Sequence, residues 1–415
     1  MSSAYNRVTV GKPDFAILVT TLTLVVVGLI FVYSASFAIA LAEFGNVNYF
    51  LFRQTAAALM GLCAMFICAG TDYHKLRALS PIFMLVAVLS LTGVLFMGND
   101  IYGARRWISL GALPPFQPSE FAKLALVIYI SAWLASNKRD LKSFAVGFMP
   151  FIFAVGLVAA LIILEPDTGT AAIIVLTMCA LFFLAGGSMT HVFTLGCIGA
   201  VAGTMLILVE GYRADRLLAF AHAENDPSGL GFQTLQLLIA LGSGGIQGLG
   251  LGFSRQKFFY IPGAHTDGVF AIIGEETGFI GAAVVICLFA YLVYRGFKVA
   301  LKAQDEFGCY LAMGIVCWIA FQCLINIGGI TRSIPLTGIP LPFVSYGGSS
   351  LIMVMAAIGV LLNVSRYSRQ TSRVPQPRRR RVAAVNAATR RQALPQSQPA
   401  PALARLKEAD GRANK

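Results

Sequence analysis

Charge is the scarcest commodity in this 415-residue chain: Asp, Glu, Lys and Arg together supply 12% of its residues, about half of what a soluble domain carries. No Walker A sequence is present, so ATP hydrolysis of that type is excluded. The eight cysteines, Cys63, Cys68, Cys179, Cys197, Cys287, Cys309, Cys317 and Cys323, all fall within apolar stretches. None forms a CxxC pair, which leaves no zinc or thioredoxin-type spacing and makes them small packing residues. GLGLG at 248–252 has no strand–turn–helix unit around it and is not a dinucleotide fingerprint.

What fills the space is apolar: 57% of the residues are hydrophobic and the mean hydropathy is +0.73. Runs long enough to cross a bilayer, about 17 to 25 residues each, occur near 15–42, 50–70, 79–97, 121–136, 144–164, 168–187, 191–210, 269–294, 308–328 and 350–366. The chain is thus an all-α integral membrane protein of about ten transmembrane helices, with one long connection at 211–267 between helices 7 and 8. Residues 1–13 form a short N-terminus, 14–367 the membrane domain and 368–415 a disordered tail. Span one is too long for a signal-peptide core and is read as retained.

The net charge of +13 does not point to a nucleic acid. From Arg366 onward the chain holds 13 Lys/Arg against 2 Asp/Glu, so +11 of the +13 sits in the tail. That tail, rich in Arg, Pro, Ala and Gln, suits the anionic lipids of an inner leaflet. An even number of spans with basic ends puts both termini in the cytoplasm. The even-numbered connections are then cytoplasmic, and their Lys75, Arg77, Lys138, Arg139, Lys142, Arg295, Lys298 and Lys302 serve topology.

The outer connections are different. Arg105, Arg106, Lys123, Arg213, Arg216, Arg255, Lys257 and Arg332 lie on the face where cations are least expected, and they suit an anionic ligand such as a lipid diphosphate. Contact with lipid headgroups, or structural pairing with Glu120, Asp215 and Asp226, is the plainer alternative. The Gly-rich stretch 237–270 is too apolar for an exposed loop and is expected to dip into the protein at membrane depth.

Several acids stand at span ends. Asp267 precedes span eight, where it suits a general base or ion ligand, and equally an N-cap of that helix. Glu275 and Glu276 follow about 12 to 14 Å into the span, where they need a partner, a cavity or a proton. Glu120 and Lys123, three apart behind Ser119 as a cap, read as a scaffolding ion pair, with cavity lining as the sharper alternative. Asp167 or Thr168 caps helix six beside Glu165. His265 is a weaker base candidate than Asp267, since a lone histidine at a helix entrance more often serves a backbone hydrogen bond. Ser345, in the Pro- and Gly-rich PLPFVSYGGSS, belongs to a tight turn whose hydroxyls and amides are also able to line a site.

Seven motifs occur in order: YSAS (33–36), GARRWI (103–108), QPSEFAKL (117–124), EPDTGTA (165–171), SRQKFF (254–259), HTD (265–267) and PLPFVSYGGSS (340–350). In these the chain resembles the SEDS family of bacterial cell-wall proteins over residues 14–367, and more its FtsW branch than its RodA branch. The resemblance implies a fold similar to GT-C-like membrane glycosyltransferases and polymerisation of lipid II into glycan strands on the outer face of the plasma membrane, at the division septum. It implies Asp267 as catalytic base, with Arg105, Arg106, Lys123, Arg213 and Arg216 as countercharge for the leaving diphosphate, together with a divalent cation, Mg or Mn. Trp107 and the Glu120–Lys123 pair match positions around the family's cavity, and Lys257, His265 and Ser345 complete the substrate-binding candidates. Implied partners are lipid II, a class B penicillin-binding protein acting as transpeptidase, other division proteins and membrane lipids. Elongation of the cell, lipid II transport and non-catalytic scaffolding are the rival roles. The chain departs from the family at Gly263, Gly268 and Arg332.

Overall fold

The computed structural model describes residues 11–101, 104–108, 115–136, 141–209, 220–221 and 230–367. The helices are α1 (Phe15–Phe44), α2 (Tyr49–Gly70), α3 (His74–Met97), α4 (Pro118–Ser136), α5 (Met149–Leu164), entered through a π turn at Phe144–Phe148, and α6 (Thr168–Leu184). They continue as α7 (Met189–Val209), α8 (Leu230–Ser243), α9 (Val269–Leu301), α10 (Glu306–Ile330) and α11 (Gly348–Arg366). Among the described residues, eight helices are long and apolar enough to cross a membrane, and α6 and α7 add two shorter apolar helices. These ten coincide with the ten expected spans, because a helix is the one open-chain conformation that satisfies every backbone group without water.

Three departures from expectation have local causes. The connection after span three holds a small antiparallel hairpin of β1 (Asn99–Ile101) and β2 (Ala104–Trp107), extended by a bridge between Ile108 and Phe116. The long connection between α7 and α9 contains α8. Helix α9 runs on to Leu301, through residues expected to be a cytoplasmic loop.

Helix ends are fixed by carboxylates. The Asp14 side chain accepts from the Ala16 and Ile17 amides, Asp167 from Thr170 and Asp305 from Gly308, each filling a donor the helix start leaves open. Asp14 also pairs with Arg295 at 2.6 Å, while its amide donates to Ser365 Oγ and the Gly11 amide to the Arg366 carbonyl. The start of α1 therefore meets the end of α11 at one end of the bundle. At the start of α4 the expected Ser119 cap is absent: Pro118 opens the helix and the buried Ser119 hydroxyl has no partner among the described residues.

Helices α4, α10 and α11 are central, with 72%, 72% and 78% of their most apolar stretch buried against 22% for α3. Alongside them α9 is broken at Gly278 (φ 68°, ψ −167°), a backbone region that side chains disfavour. The Gly-rich loop fills the break: Leu249 and Gly250 donate to the Glu275 and Glu276 carbonyls, and Phe279 and Ile280 to Gly245 and Ile246. A Cβ on Gly248 would lie 2.3 Å from the Glu276 carbonyl oxygen, so only glycine permits this approach. The loop thus packs several residues deep along α9, as its composition predicts.

Candidate functional site

Asp267 ends the Gly-rich loop, half-buried, one residue before the α9 N-cap. That cap is Gly268, which has no side chain to offer, so the capping reading of Asp267 is not what the geometry uses. Its carboxylate instead receives the Thr266 hydroxyl at 2.9 Å, and the same hydroxyl contacts the Gly263 carbonyl. Gly263 (φ 67°) leaves room for this arrangement, since a Cβ there would stand 2.6 Å from Asp267 Oδ1. On the other side Gly338 approaches, its Cβ position 3.9 Å from Oδ2. The carboxylate thus lies between two residues without side chains.

His265 sits two residues earlier against the rings of Phe50 (4.5 Å) and Tyr346 (5.5 Å), and its carbonyl accepts the Tyr346 amide. Burial pushes its pKa down to about 4, so the ring is neutral at physiological pH and packs as an aromatic. The backbone-bonding reading fits it better than that of a base.

Behind the loop lies an ion-pair network. Lys257 Nζ donates to Glu276 Oε1 at 2.9 Å, with both side chains 0% exposed, and to Ser34 Oγ and the Gly252 carbonyl. Glu275 accepts the Ser254 hydroxyl and the Arg255 amide. The two acids inside span eight thus find partners in the SRQKFF segment, and Lys257, expected at the substrate, is engaged in holding the loop to α1 and α9. Arg255 remains exposed.

Glu120 and Lys123 pair at 2.8 Å with 3% and 2% side-chain exposure, and Lys123 also donates to Gln322 and lies over the Trp318 ring. This is the buried ion pair that the scaffolding reading expects. Ser345 is buried, its hydroxyl accepting the Leu341 amide and its carbonyl the Gln54 side chain. It closes the PLPFVSYGG turn.

Arg106, on β2 beside Trp107, donates through Nε to the Glu165 carbonyl at 2.9 Å and through its terminal nitrogen to Pro166, fastening the hairpin to the α5–α6 turn. Gln117 reaches Asp167 there at 3.4 Å. Trp107 is half-buried. The Arg105 side chain, Arg213 and Arg216 lie outside the described residues.

Glu165 is 1% exposed with neither carboxylate oxygen partnered among the described residues. Burial pushes its pKa up to about 8, Asp167 adding to the rise and Arg106 opposing it. The folded state therefore holds a proton the unfolded chain would release, and this stabilisation, whole below the ordinary value of 4.5, is lost as pH rises toward 8. Melting of the purified protein should fall between pH 5 and 8, and Glu165→Gln should flatten that fall. An unchanged slope in the variant would contradict it.

Among the described residues no three of His, Cys, Asp and Glu come together in a group able to hold a metal ion.

Sequence reasoning missed Gln322 and Asn326. Asn326 Nδ2 donates to the Asp267 carbonyl at 3.0 Å and to the Ile339 carbonyl at 2.7 Å, and Gln322 Nε2 to Pro340 at 3.0 Å. The available signal was a polar amide recurring at helical spacing inside an apolar span, where an unsatisfied polar group is costly.

Residues 15–370 match the FtsW/RodA/SpoVE family model, described as cell cycle protein. The chain is 44% identical over 360 residues to the stage V sporulation protein E of Bacillus subtilis, covering 86% of this chain and 98% of that protein. It is 38% identical to a probable peptidoglycan glycosyltransferase FtsW of a Geobacter species, covering 86% and 97%. Among solved structures it is similar to a chain of a peptidoglycan synthase complex that coordinates polymerization and crosslinking, at a TM-score of 0.70 and 26% identity, over 86% of this chain and 99% of that one.

Proposed function

The chain belongs to the FtsW/RodA/SpoVE family of cell cycle proteins, and we propose that it is a multi-pass membrane peptidoglycan glycosyltransferase in which Asp267 is the catalytic base. The observation that carries the assignment is the half-buried carboxylate at the end of the re-entrant loop, flanked by Gly263 and Gly338 and steadied by Thr266. The substrate is lipid II. Asp267 takes the proton of the acceptor GlcNAc 4-hydroxyl as that oxygen bonds to the donor's anomeric carbon. The bond from this carbon to undecaprenyl diphosphate breaks, and the diphosphate leaves with the electron pair. A positioned base of this kind contributes about 10²–10⁴-fold.

The departing diphosphate needs countercharge. Lys123 and Lys257 are committed to buried ion pairs and Arg106 to backbone carbonyls, so Arg105, Arg213, Arg216 and Arg255 take this role. Chemistry on the outer face of the plasma membrane, with both termini cytoplasmic, is supported by the basic ends and by the meeting of α1 and α11 at one end. The partner is a class B penicillin-binding protein that crosslinks the new strand, and the FtsW-like resemblance favours work at the septum.

Purified chain reconstituted in vesicles with labelled lipid II, with and without the transpeptidase, tests this reading. Glycan strands are the expected product. Passage of lipid II across the bilayer with no strand under any condition would replace the polymerase with a transporter.

A further inference from the structure

Along one face of α10, Trp318, Gln322 and Asn326 recur every fourth residue, so their side chains stack in a column. All three are buried. At the bottom, Gln322 Oε1 accepts from Trp318 Nε1 at 2.8 Å and from Lys123 Nζ at 3.1 Å. Its amide nitrogen donates to the Pro340 carbonyl. One turn further, Asn326 uses its single amide nitrogen on two carbonyls from different segments, Asp267 and Ile339.

These two carbonyls belong to the segments that meet at the carboxylate. Asp267 carries the acid, and Ile339 directly follows Gly338, whose Cβ position would stand 3.9 Å from Oδ2. From this geometry we infer that Asn326 is a positioning residue for the glycosyl transfer: it fixes the backbone of Asp267 against the Thr337–Ile339 segment and so sets where the carboxylate stands relative to the acceptor hydroxyl. The inference rests on Asp267 being the base.

The chemistry gives this role a sharp expectation. A general base acts within hydrogen-bond reach of its proton, and a displacement of about 1 Å costs on the order of 10²-fold. The substrate itself is held by other groups, so the loss belongs to kcat and leaves KM nearly alone. A purely structural amide would instead lower the amount of folded protein and spare the turnover of what remains.

The molecule supplies its own control. Asn363, on α11 near the end where the α1 start lies, is likewise buried and bonded to two backbone groups, accepting the Tyr73 amide at 2.9 Å and donating to the Ala69 carbonyl at 2.8 Å. Asn326→Leu and Asn363→Leu keep side-chain volume and remove the hydrogen bonds, so they share the generic cost of losing a buried amide.

The test measures kcat and KM for lipid II per folded, full-length protein in both variants, together with Asp267→Asn and the Asp267→Asn/Asn326→Leu pair. Asn326→Leu should lower kcat by about 10–10²-fold with KM within about threefold, while Asn363→Leu keeps both values at comparable melting temperature. In the Asp267→Asn background Asn326→Leu should add little, because the two residues act as one unit. Wild-type kcat in Asn326→Leu, or an equal kcat loss in Asn363→Leu, would overturn the inference alone. Undiminished polymerisation in Asp267→Asn would remove the base and the inference with it.

Discussion

Replacing Lys257 with Met should destabilise the protein by about 3–5 kcal/mol, the cost of stranding a buried charge. Met matches the stem of Lys in length, so packing is largely kept and the loss is electrostatic. Glu276 would be left inside α9 with the Ser34 hydroxyl at 2.6 Å and the Ser254 amide at 3.3 Å, its second oxygen having no partner among the described residues. The double change Lys257→Met/Glu276→Gln removes both charges and should recover most of the loss. Melting of the three proteins in the same detergent decides the matter: a double variant no better than the single would mean that the pair contributes nothing beyond shape. Because SRQKFF is the segment that the pair fastens, the single variant should also lose polymerisation, through displacement of the loop that ends in Asp267.

Asp267→Asn should reduce kcat for strand formation by about 10²–10⁴-fold with little change in melting temperature. Asn is isosteric and keeps an acceptor for the Thr266 hydroxyl, so what disappears is the capacity to take a proton. The stability readout separates the two readings the sequence left open. A lost N-cap would cost about 1 kcal/mol, but Gly268 occupies the cap position, so the folded state should not register the change.

The ten apolar helices were legible because each is a nearly unbroken apolar run, and in a bilayer that pattern has one backbone solution. Asp167 as the cap of α6 and the dip of the Gly-rich loop were legible for similarly local reasons. The break at Gly278 was not: a single glycine in an apolar stretch looks the same whether the helix continues or turns, and only the arrival of Gly245–Gly250 alongside makes it break. For the site, sequence picked out the carboxylate at a span end and overestimated the free cations. Lys257 and Lys123 are as basic in sequence as any ligand-binding lysine, yet each neutralises a glutamate brought next to it by folding. Ser345 and His265 sit in motif-rich segments whose polar groups turn out to serve the turn itself. Asn326 had no motif to announce it, and its importance lies in two carbonyls, 59 and 13 residues away, that only the tertiary structure places together.

The most direct test is a gel of glycan strands made from lipid II by the purified full-length chain and by Asp267→Asn, compared at equal folded protein. A ladder of strands from the first and almost none from the second is the predicted outcome. Equal ladders from both would show that some other group removes the acceptor's proton.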